Sequence, residues 1–246
     1  MAAMKRYCSA AIGVLALLSG AAIANADPKP LSAQEATDAA ADTQTRINDA
    51  IPIITKLEGD PKANALLGKA KGIVIVPHYL QAALIFGARG GSGLLLVRRG
   101  MKWSDPVFYK ISGGSFGAQI GGTQGSLAFF LMSDKAIEAF ENKASTWSMN
   151  AGAGLAAVSF SKQTPETATL TDVVVWSDTK GIFGGAAVGA SKISRDMQAN
   201  VVYYNDKDIT AQRILNGEVS NPQSKLLLDT LPPPAAPSAP APAPRK

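Results

Sequence analysis

Short apolar runs separated by glycines and turn residues occupy most of the chain after residue 70. The runs are rich in Val, Ile, Leu and Phe, which favour β-strands. They predict strands at Gly72–Val76, Ala82–Phe86, Gly93–Arg99, Val107–Ile111, Phe116–Ile120, Ser126–Met132, Ser145–Asn150, Gly154–Phe160, Thr171–Trp176, Ile182–Val188 and Asn200–Tyr204. Because no long helical patterns separate these strands, we expect antiparallel pairing in a closed or strongly curved sheet.

Glycine is concentrated in the same region, since 11 of the 23 glycines lie between Gly87 and Gly125. Glycine weakens a regular strand because it brings no side chain to pack and loses much backbone entropy on folding. The density therefore indicates strands that bend, bulge or approach another backbone closely.

Helical patterns lie mainly toward the two ends of the chain. Ser32–Ile51 begins with a capping serine and has Glu35 three residues later, and we expect Pro52 to break or kink this helix. The remaining helices are predicted from the cap Asp60 to Gly68, after the cap Ser133, at Thr210–Asn216 and at Pro222–Leu231. The predicted fold class is α+β, with a dominant antiparallel, strongly curved or barrel-like sheet and short helices at the N- and C-terminal ends.

Residues 1–26 have the composition of a cleaved signal peptide. Two basic residues precede a short apolar core, and Ala24-Asn25-Ala26 forms a small-x-small cleavage site. Cleavage would also remove Cys8, the only cysteine, so the mature chain would enter an oxidising compartment without disulfides. We expect a periplasmic or secreted protein that is soluble after cleavage and that can associate peripherally with a membrane.

The rest of the chain divides into a domain and a tail. Residues 27–231 are long enough to bury a substantial core, and we expect them to form one domain with an N-terminal helical segment. Residues 232–246 read PPPAAPSAPAPAPRK and contain seven of the 15 prolines. This composition cannot build a core, so the segment is predicted to be an extended, disordered tail.

Positive charge is concentrated in one part of the sequence. The whole chain has 24 Lys and Arg against 19 Asp and Glu, a formal charge of +5. Residues 56–110 contain nine basic and three acidic residues, residues 27–55 two basic and five acidic, and residues 111–246 equal numbers of each. Such a block indicates either an anionic partner or a solvated surface, and charge alone does not separate the two.

The run from Ile47 to Lys71 combines isoleucines and leucines with four lysines. A helix that buries its apolar face at a membrane surface, while its lysines meet the headgroups, has this composition. An amphipathic helix that covers the sheet has it as well, and composition alone favours this second interpretation.

Candidate catalytic and cofactor sites are weak. Gly113–Gly117 matches the Gly-x-Ser-x-Gly pattern around Ser115, but a strand is predicted after it and the only histidine, His78, precedes it in a predicted turn. A serine hydrolase is therefore the third hypothesis, and no enzymatic activity is predicted. With one histidine and no cysteine after cleavage, we predict no metal site and no cofactor. Aromatic residues near the arginines resemble a base-stacking surface, but an exported compartment holds little nucleic acid, so none is expected as a partner.

Several motifs between residues 50 and 218 occur in a characteristic order. They are Ala70-Lys71-Gly72-Ile73 leading to Pro77, Gly87 with Arg89-Gly90-Gly91-Ser92-Gly93, Trp103-Ser104 with Pro106 and Phe108, Gly113-Gly114 with Gly117, Gln119 and Gly121, Ser177 with Lys180-Gly181-Ile182-Phe183, and Tyr203-Tyr204 with Thr210, Ile214-Leu215 and Gly217. Together they resemble the SYLF domain family, described as a lipid-binding or actin-patch-type domain. The chain resembles a bacterial exported member, and it departs from the usual residues at Trp176, Asp178 and Asn205.

The resemblance implies non-catalytic binding of anionic phospholipid or a membrane surface through an N-terminal amphipathic segment and nearby bases. The lipid-binding residues that we predict are Lys56, Lys62, Lys69, Lys71, Arg89, Arg98, Arg99 and Lys102. An exported member would meet phosphatidylglycerol, cardiolipin or lipopolysaccharide, so actin is not expected as a partner. The alternative is a structural or assembly protein of the cell envelope that binds a protein partner.

Overall fold

The computed structural model describes residues 32–83, 86–116, 121–142, 146–148, 154–162, 164–178 and 191–233. The predicted signal peptide, the strand predicted at Ile182–Val188 and the tail from residue 234 lie outside the described residues. The described residues belong to one compact unit.

The described residues form six α-helices and nine strands. The helices are α1 (Ala33–Gly59), α2 (Pro61–Lys69), α3 (Asp134–Asn142), α4 (Met197–Tyr204), α5 (Ala211–Leu215) and α6 (Lys225–Thr230). The strands are β1 (Gly72–Ala83), β2 (Phe86–Arg99), β3 (Lys102–Trp103), β4 (Val107–Phe116), β5 (Gly121–Leu131), β6 (Thr146–Ser148), β7 (Ala157–Ser159), β8 (Val173–Ser177) and β9 (Lys192–Arg195). Short 3₁₀ turns lie at Phe160–Lys162, Ala168–Leu170 and Pro222–Ser224.

The strands build one strongly curled sheet in the order β6-β9-β4-β2-β1-β5-β8-β7, and β3 pairs with β2 outside this path. The pairs are antiparallel except for β7 and β8, which run parallel. The predicted α+β class with a curved, mostly antiparallel sheet is therefore confirmed. One helix is not short, because α1 has 27 residues.

Strand β1 continues through Pro77, where the sequence predicts two separate strands. Its pairing is interrupted between Ile75 and His78 toward β2 and between Val76 and Tyr79 toward β5. This bulge leaves Pro77 out of the ladder, so its missing N–H costs no hydrogen bond. The prediction that His78 lies in a turn is wrong for the same reason.

The glycines opposite the bulge allow the strands to pack closely. A Cβ atom added to Gly91 would lie 2.5 Å from the carbonyl oxygen of His78, and one added to Gly93 would lie 2.5 Å from that of Ile75. Both distances are far below van der Waals contact. The interpretation of this glycine density as close backbone approach is confirmed at these two positions.

Helix α1 begins as predicted but does not end at Pro52. Ser32 and Glu35 form the reciprocal capping box. Pro52 lies inside the helix on its exposed side. The next two residues, Ile53 and Ile54, are buried against the rest of the domain. The buried face holds the helix together across the one hydrogen bond that a proline removes.

The segment Asn200–Tyr204, predicted as a strand from its β-branched and aromatic residues, belongs to helix α4. Asp196 caps this helix by accepting a hydrogen bond from the backbone N–H of Ala199. The Asn200 side chain then binds both backbone groups of Phe108 on β4, at 2.9 and 3.0 Å. These long-range contacts outweigh the local strand preference.

The core lies at the β1, β2 and β5 centre of the sheet, where consecutive residues on both faces are buried, as in 73–76, 94–97 and 127–131. Both faces of the sheet are therefore covered by other parts of the domain there, and α1 packs against β1 and β2. In the part of the chain that the structure describes, no helix is both long enough and apolar enough to cross a bilayer.

Candidate functional site: a basic cleft

An open cleft of about 380 Å³ lies where the C-terminal end of α2 meets the end of β2. It brings together four of the eight predicted lipid-binding residues: Lys69, Lys71, Arg98 and Arg99. The rest of its lining comes from Gly68, Ala70, Val97, Gly100, Asp134 and Ile137.

Backbone pairing brings these cations together from distant parts of the sequence. Ala70 ends α2, and the next residue, Lys71, donates its backbone N–H to the carbonyl oxygen of Leu131 at 2.8 Å. Its own carbonyl oxygen accepts the N–H of Arg98, also at 2.8 Å. The C-terminal end of α2 and the end of β2 thus meet at one end of the central strands.

Arg98 is a half-buried basic residue that lines the cleft. Its guanidinium carbon lies 4.4 Å from the centre of the Trp103 ring, and Nη2 donates to the carbonyl oxygens of Leu67 and Pro232 at 3.2 and 3.5 Å. The Trp103 indole N–H also donates to Pro232, at 2.9 Å. Burial lowers the pKa of Arg98, and its Nε and Nη1 atoms are buried without a hydrogen-bond partner. Among the described residues, no carboxylate neutralises this arginine.

Two carboxylates of α3 neutralise part of the cleft. Lys71 Nζ lies 2.5 Å from Asp134 Oδ2, and Arg99 forms an ion pair with Glu141. Lys69 Nζ donates to the carbonyl oxygen of Pro165 at 3.0 Å and also interacts electrostatically with the nearby carboxylate of Glu166.

Lys102 extends the cleft along its rim. It is exposed on β3 and pairs with Arg99 across a two-residue turn. Counting Lys102 with the four lining cations, five positive charges face three carboxylates, Asp134 and Glu141 of α3 and Glu166 near Lys69, and the local excess is +2.

The other three predicted residues lie elsewhere. Lys56 is 3.5 Å from Asp178 and 5.4 Å from the Trp176 ring centre. Lys62 donates to the carbonyl oxygen of Phe160 at 2.5 Å and lies 4.3 Å from the centre of its ring. Both lysines thereby attach the N-terminal helices to the β7–β8 side of the sheet. Arg89 lies nine residues from Arg98 on β2, about 30 Å along the strand.

The apolar residues of the Ile47–Lys71 run belong to the core. Ile53, Ile54, Leu57, Leu66 and Leu67 are all at most 7% exposed. The interpretation of this run as helices covering the sheet is therefore confirmed. Since their apolar faces are already packed, α1 and α2 present no apolar stripe to a membrane in this fold.

A second open cleft, of about 550 Å³, lies between α1 and the far half of the sheet. His78 and Asp49 line it and contact each other, with Nε2 and Oδ2 2.9 Å apart. Ser115 pairs with Gly87 on β2, whereas His78 pairs with Ser92. The next described element after β4 is strand β5, so the described residues around Ser115 do not form the strand–turn–helix of a nucleophile elbow. Nor do the described residues place three His, Cys, Asp or Glu side chains together as a metal site would require.

Sequence analysis missed two contributors to the cleft, Asp134 and Glu141, and it considered Trp103 only as part of a base-stacking surface near the arginines. Asp134 and Glu141 supply counter-charges from α3, and Trp103 supplies the surface on which Arg98 rests. An acidic residue just after the Ser133 cap is a normal feature of a helix start, so Asp134 gave no separate signal. Only the pairing of β2 with β3 places Trp103 opposite Arg98.

Comparison with known families identifies the domain. The model of the family Ysc84, described as "Las17-binding protein actin regulator", matches residues 112–232. This chain belongs to the Ysc84 family, the SYLF domain family. The resemblance to this family that was drawn from the motifs is thereby confirmed, whereas the bacterial exported member stays a prediction.

Relatives of this Ysc84 domain come from yeasts and animals. The chain is 28% identical over 163 residues to Protein YSC84 of Saccharomyces cerevisiae, covering 64% of this chain and 34% of that protein. It is 28% identical over 163 residues to LAS seventeen-binding protein 3 of the same species, covering 64% and 35%. It is 27% identical over 171 residues to SH3 domain-containing YSC84-like protein 1 of Xenopus laevis, covering 68% and 50%. The match thus spans between a third and a half of these relatives. No solved structure matches the chain significantly.

The names of the relatives refer to protein binding. One of them is a LAS seventeen-binding protein, and the description of the Ysc84 family names an actin regulator. The expectation that actin is not a partner of this chain therefore receives no support. The family description and the name of this relative refer to binding, which agrees with the predicted binding role.

Proposed function

We propose that this Ysc84 domain is exported, binds the headgroups of anionic phospholipids at the basic cleft and performs no catalysis. The observation that carries the proposal is the convergence of five basic side chains at one cleft, among them the half-buried Arg98, which no carboxylate of the described residues neutralises. Lys69, Lys71, Arg99 and Lys102 surround it. A phosphate supplies the negative charge and the acceptor oxygens that this cluster lacks.

The proposed binding is electrostatic, peripheral and reversible. Each base near an anionic surface contributes about 1 kcal/mol, so an excess of two charges gives a modest affinity. Because the Debye length falls from about 10 Å at 0.1 M salt to about 3 Å at 1 M, this affinity should collapse at high salt. In an exported compartment the available lipids are phosphatidylglycerol and cardiolipin, with lipopolysaccharide as a further anionic surface.

Co-sedimentation of residues 27–246 with vesicles tests the proposal. Recovery should be high with phosphatidylglycerol vesicles at low salt, and low with phosphatidylcholine vesicles or at high salt. Lys71→Gln with Lys102→Gln should weaken binding at least tenfold, at about 1 kcal/mol for each charge. Equal recovery with neutral and anionic vesicles would refute lipid-headgroup binding.

A matched variant removes the same charge elsewhere. Lys192 and Lys207 are exposed and lie outside the cleft lining. Lys192→Gln with Lys207→Gln should therefore bind anionic vesicles almost as well as the wild type. If both double variants lose affinity equally, net charge rather than the cleft determines binding.

The second candidate is a protein partner in the cell envelope. Relatives are named for binding other proteins, which favours this class for the family. Recovery of an envelope protein by the immobilised domain, together with absent vesicle binding, would favour this candidate over the lipid.

A further inference from the structure

The β2–β3 turn carries an exposed methionine at its tip. Gly100 and Met101 are the two central residues, and Gly100 has φ of +61°, a conformation that tight hairpins assign to glycine at this position. The Met101 side chain is 74% exposed. The turn is therefore a short, well-defined projection with an apolar end.

Positive charge surrounds this methionine. Arg99 and Lys102 face each other across the base of the turn, and Gly100 itself lines the basic cleft. The next pair between β2 and β3 is Arg98 with Trp103, and the Arg98 guanidinium stacks on the Trp103 ring. Leu80, another exposed apolar residue, lies in contrast on β1 among the residues of the second cleft. An isolated exposed apolar residue is ordinary on a protein surface, but one between two cations at the tip of a hairpin beside a basic cleft matches the chemistry of a bilayer interface.

We propose that the Gly100–Met101 tip enters the interfacial layer of an anionic bilayer while Arg99, Lys102 and the cleft lysines contact headgroup phosphates. This inference rests on the proposed function and names the apolar anchor that accompanies it. The apolar faces of α1 and α2 are buried in the core, so they do not supply such an anchor. A flexible thioether side chain is well suited to this layer, and the long Arg and Lys stems let their charges remain at headgroup level.

The inference also fixes how the domain meets the membrane. The ends of β2 and α2 face the bilayer, and the far half of the sheet, with Leu80 and His78, points away. Leu80 lies eight residues along β1 from Gly72, which pairs with Val97 beside the cleft, a separation of roughly 25 Å.

A site-specific fluorophore tests the orientation. Residues 27–246 contain no cysteine, so Met101→Cys and Leu80→Cys each give one labelling site for an environment-sensitive dye. With phosphatidylglycerol vesicles, the dye at position 101 should shift to the blue and be quenched by lipids brominated on the acyl chain. The dye at position 80 should show neither effect.

Unlabelled variants give a second measurement. Met101→Ser should weaken vesicle binding about tenfold, the expected loss for burying most of one apolar side chain, and Met101→Leu should restore it. Leu80→Ser serves as the matched control and should bind normally. Normal binding by Met101→Ser with an unshifted dye would overturn the anchor but leave headgroup binding intact. Absence of any vesicle binding by the wild type would overturn both.

Discussion

Arg46 Nη1 donates a hydrogen bond to Asp196 Oδ2 at 2.9 Å and so joins α1 to the start of α4 across 150 residues. Arg46 is 8% exposed and Asp196 is 4% exposed. Lys110 Nζ on β4 approaches the same carboxylate oxygen at 3.1 Å. This buried cluster holds the long N-terminal helix on the sheet, which is why the apolar face of α1 is not free to enter a membrane.

The stability of the domain should fall in acid because of Asp196. Burial alone raises the pKa of its carboxyl, but the hydrogen bonds and charges of Arg46 and Lys110 outweigh burial and hold the pKa below its usual value. A carboxyl whose folded-state pKa is depressed stabilises the fold above its unfolded pKa of 3.8, and this contribution is lost as the pH falls through the lower folded value. Urea unfolding between pH 7 and pH 3 should show the loss below about pH 4.

Asp196→Asn should be less stable at pH 7 and should have a flatter acid limb than the wild type. Removing one partner of a buried ion pair typically costs about 3–5 kcal/mol, because the remaining charge stays buried. An unchanged pH profile in this variant would show that other carboxyls control the acid transition.

Lys62 should matter for folding and Lys102 for binding. Lys62→Met removes the ammonium from the Phe160 carbonyl and ring, and we expect a loss of about 1–2 kcal/mol in the free energy of unfolding. Lys102→Met changes an exposed side chain and should leave stability within about 0.5 kcal/mol. Urea denaturation measures the first effect and vesicle co-sedimentation the second. A stable Lys62→Met variant that no longer binds vesicles would reverse this assignment.

Gly91 should tolerate no side chain. A Cβ at this position meets the His78 carbonyl oxygen at 2.5 Å, and that oxygen belongs to the backbone, so Gly91→Ala should destabilise the domain by about 3 kcal/mol. Gly59, the last residue of α1, has no atom within 4 Å of its would-be Cβ. Gly59→Ala should stabilise the domain by about 0.5–1 kcal/mol. Thermal unfolding of the pair compares the two sites, and equal effects would contradict the close approach.

Asp134→Asn should strengthen binding to anionic vesicles. The substitution removes the carboxylate that pairs with Lys71 in the cleft, and one unit of charge near the surface is worth about 1 kcal/mol, roughly a fivefold gain. Asp38→Asn makes the same charge change near the start of α1, beside Asp196, and should leave vesicle affinity almost unchanged. An equal gain from both variants would mean that net charge sets the affinity.

Local sequence signals were sufficient for many elements of this fold. The Ser32–Glu35 capping box, the Asp60-Pro61 helix start and the Ser133 cap all form as predicted, because caps and turns depend on residues three or four positions apart. The same signals wrongly predicted that α1 ends before Pro52 and that Asn200–Tyr204 is a strand. In both segments distant contacts, the buried face of α1 and the Asn200–Phe108 hydrogen bonds, decide the outcome.

The sequence by itself determined the family, the curved antiparallel sheet and the block of positive charge that any anionic partner would meet. Only the tertiary structure decided which of those charges act together. Lys71 and Arg98 are 27 positions apart, yet a single backbone hydrogen bond makes them neighbours, whereas Arg89, nine positions from Arg98, lies at the other end of β2. The physical reason is that sequence separation along a strand becomes distance, while pairing between strands brings remote residues together.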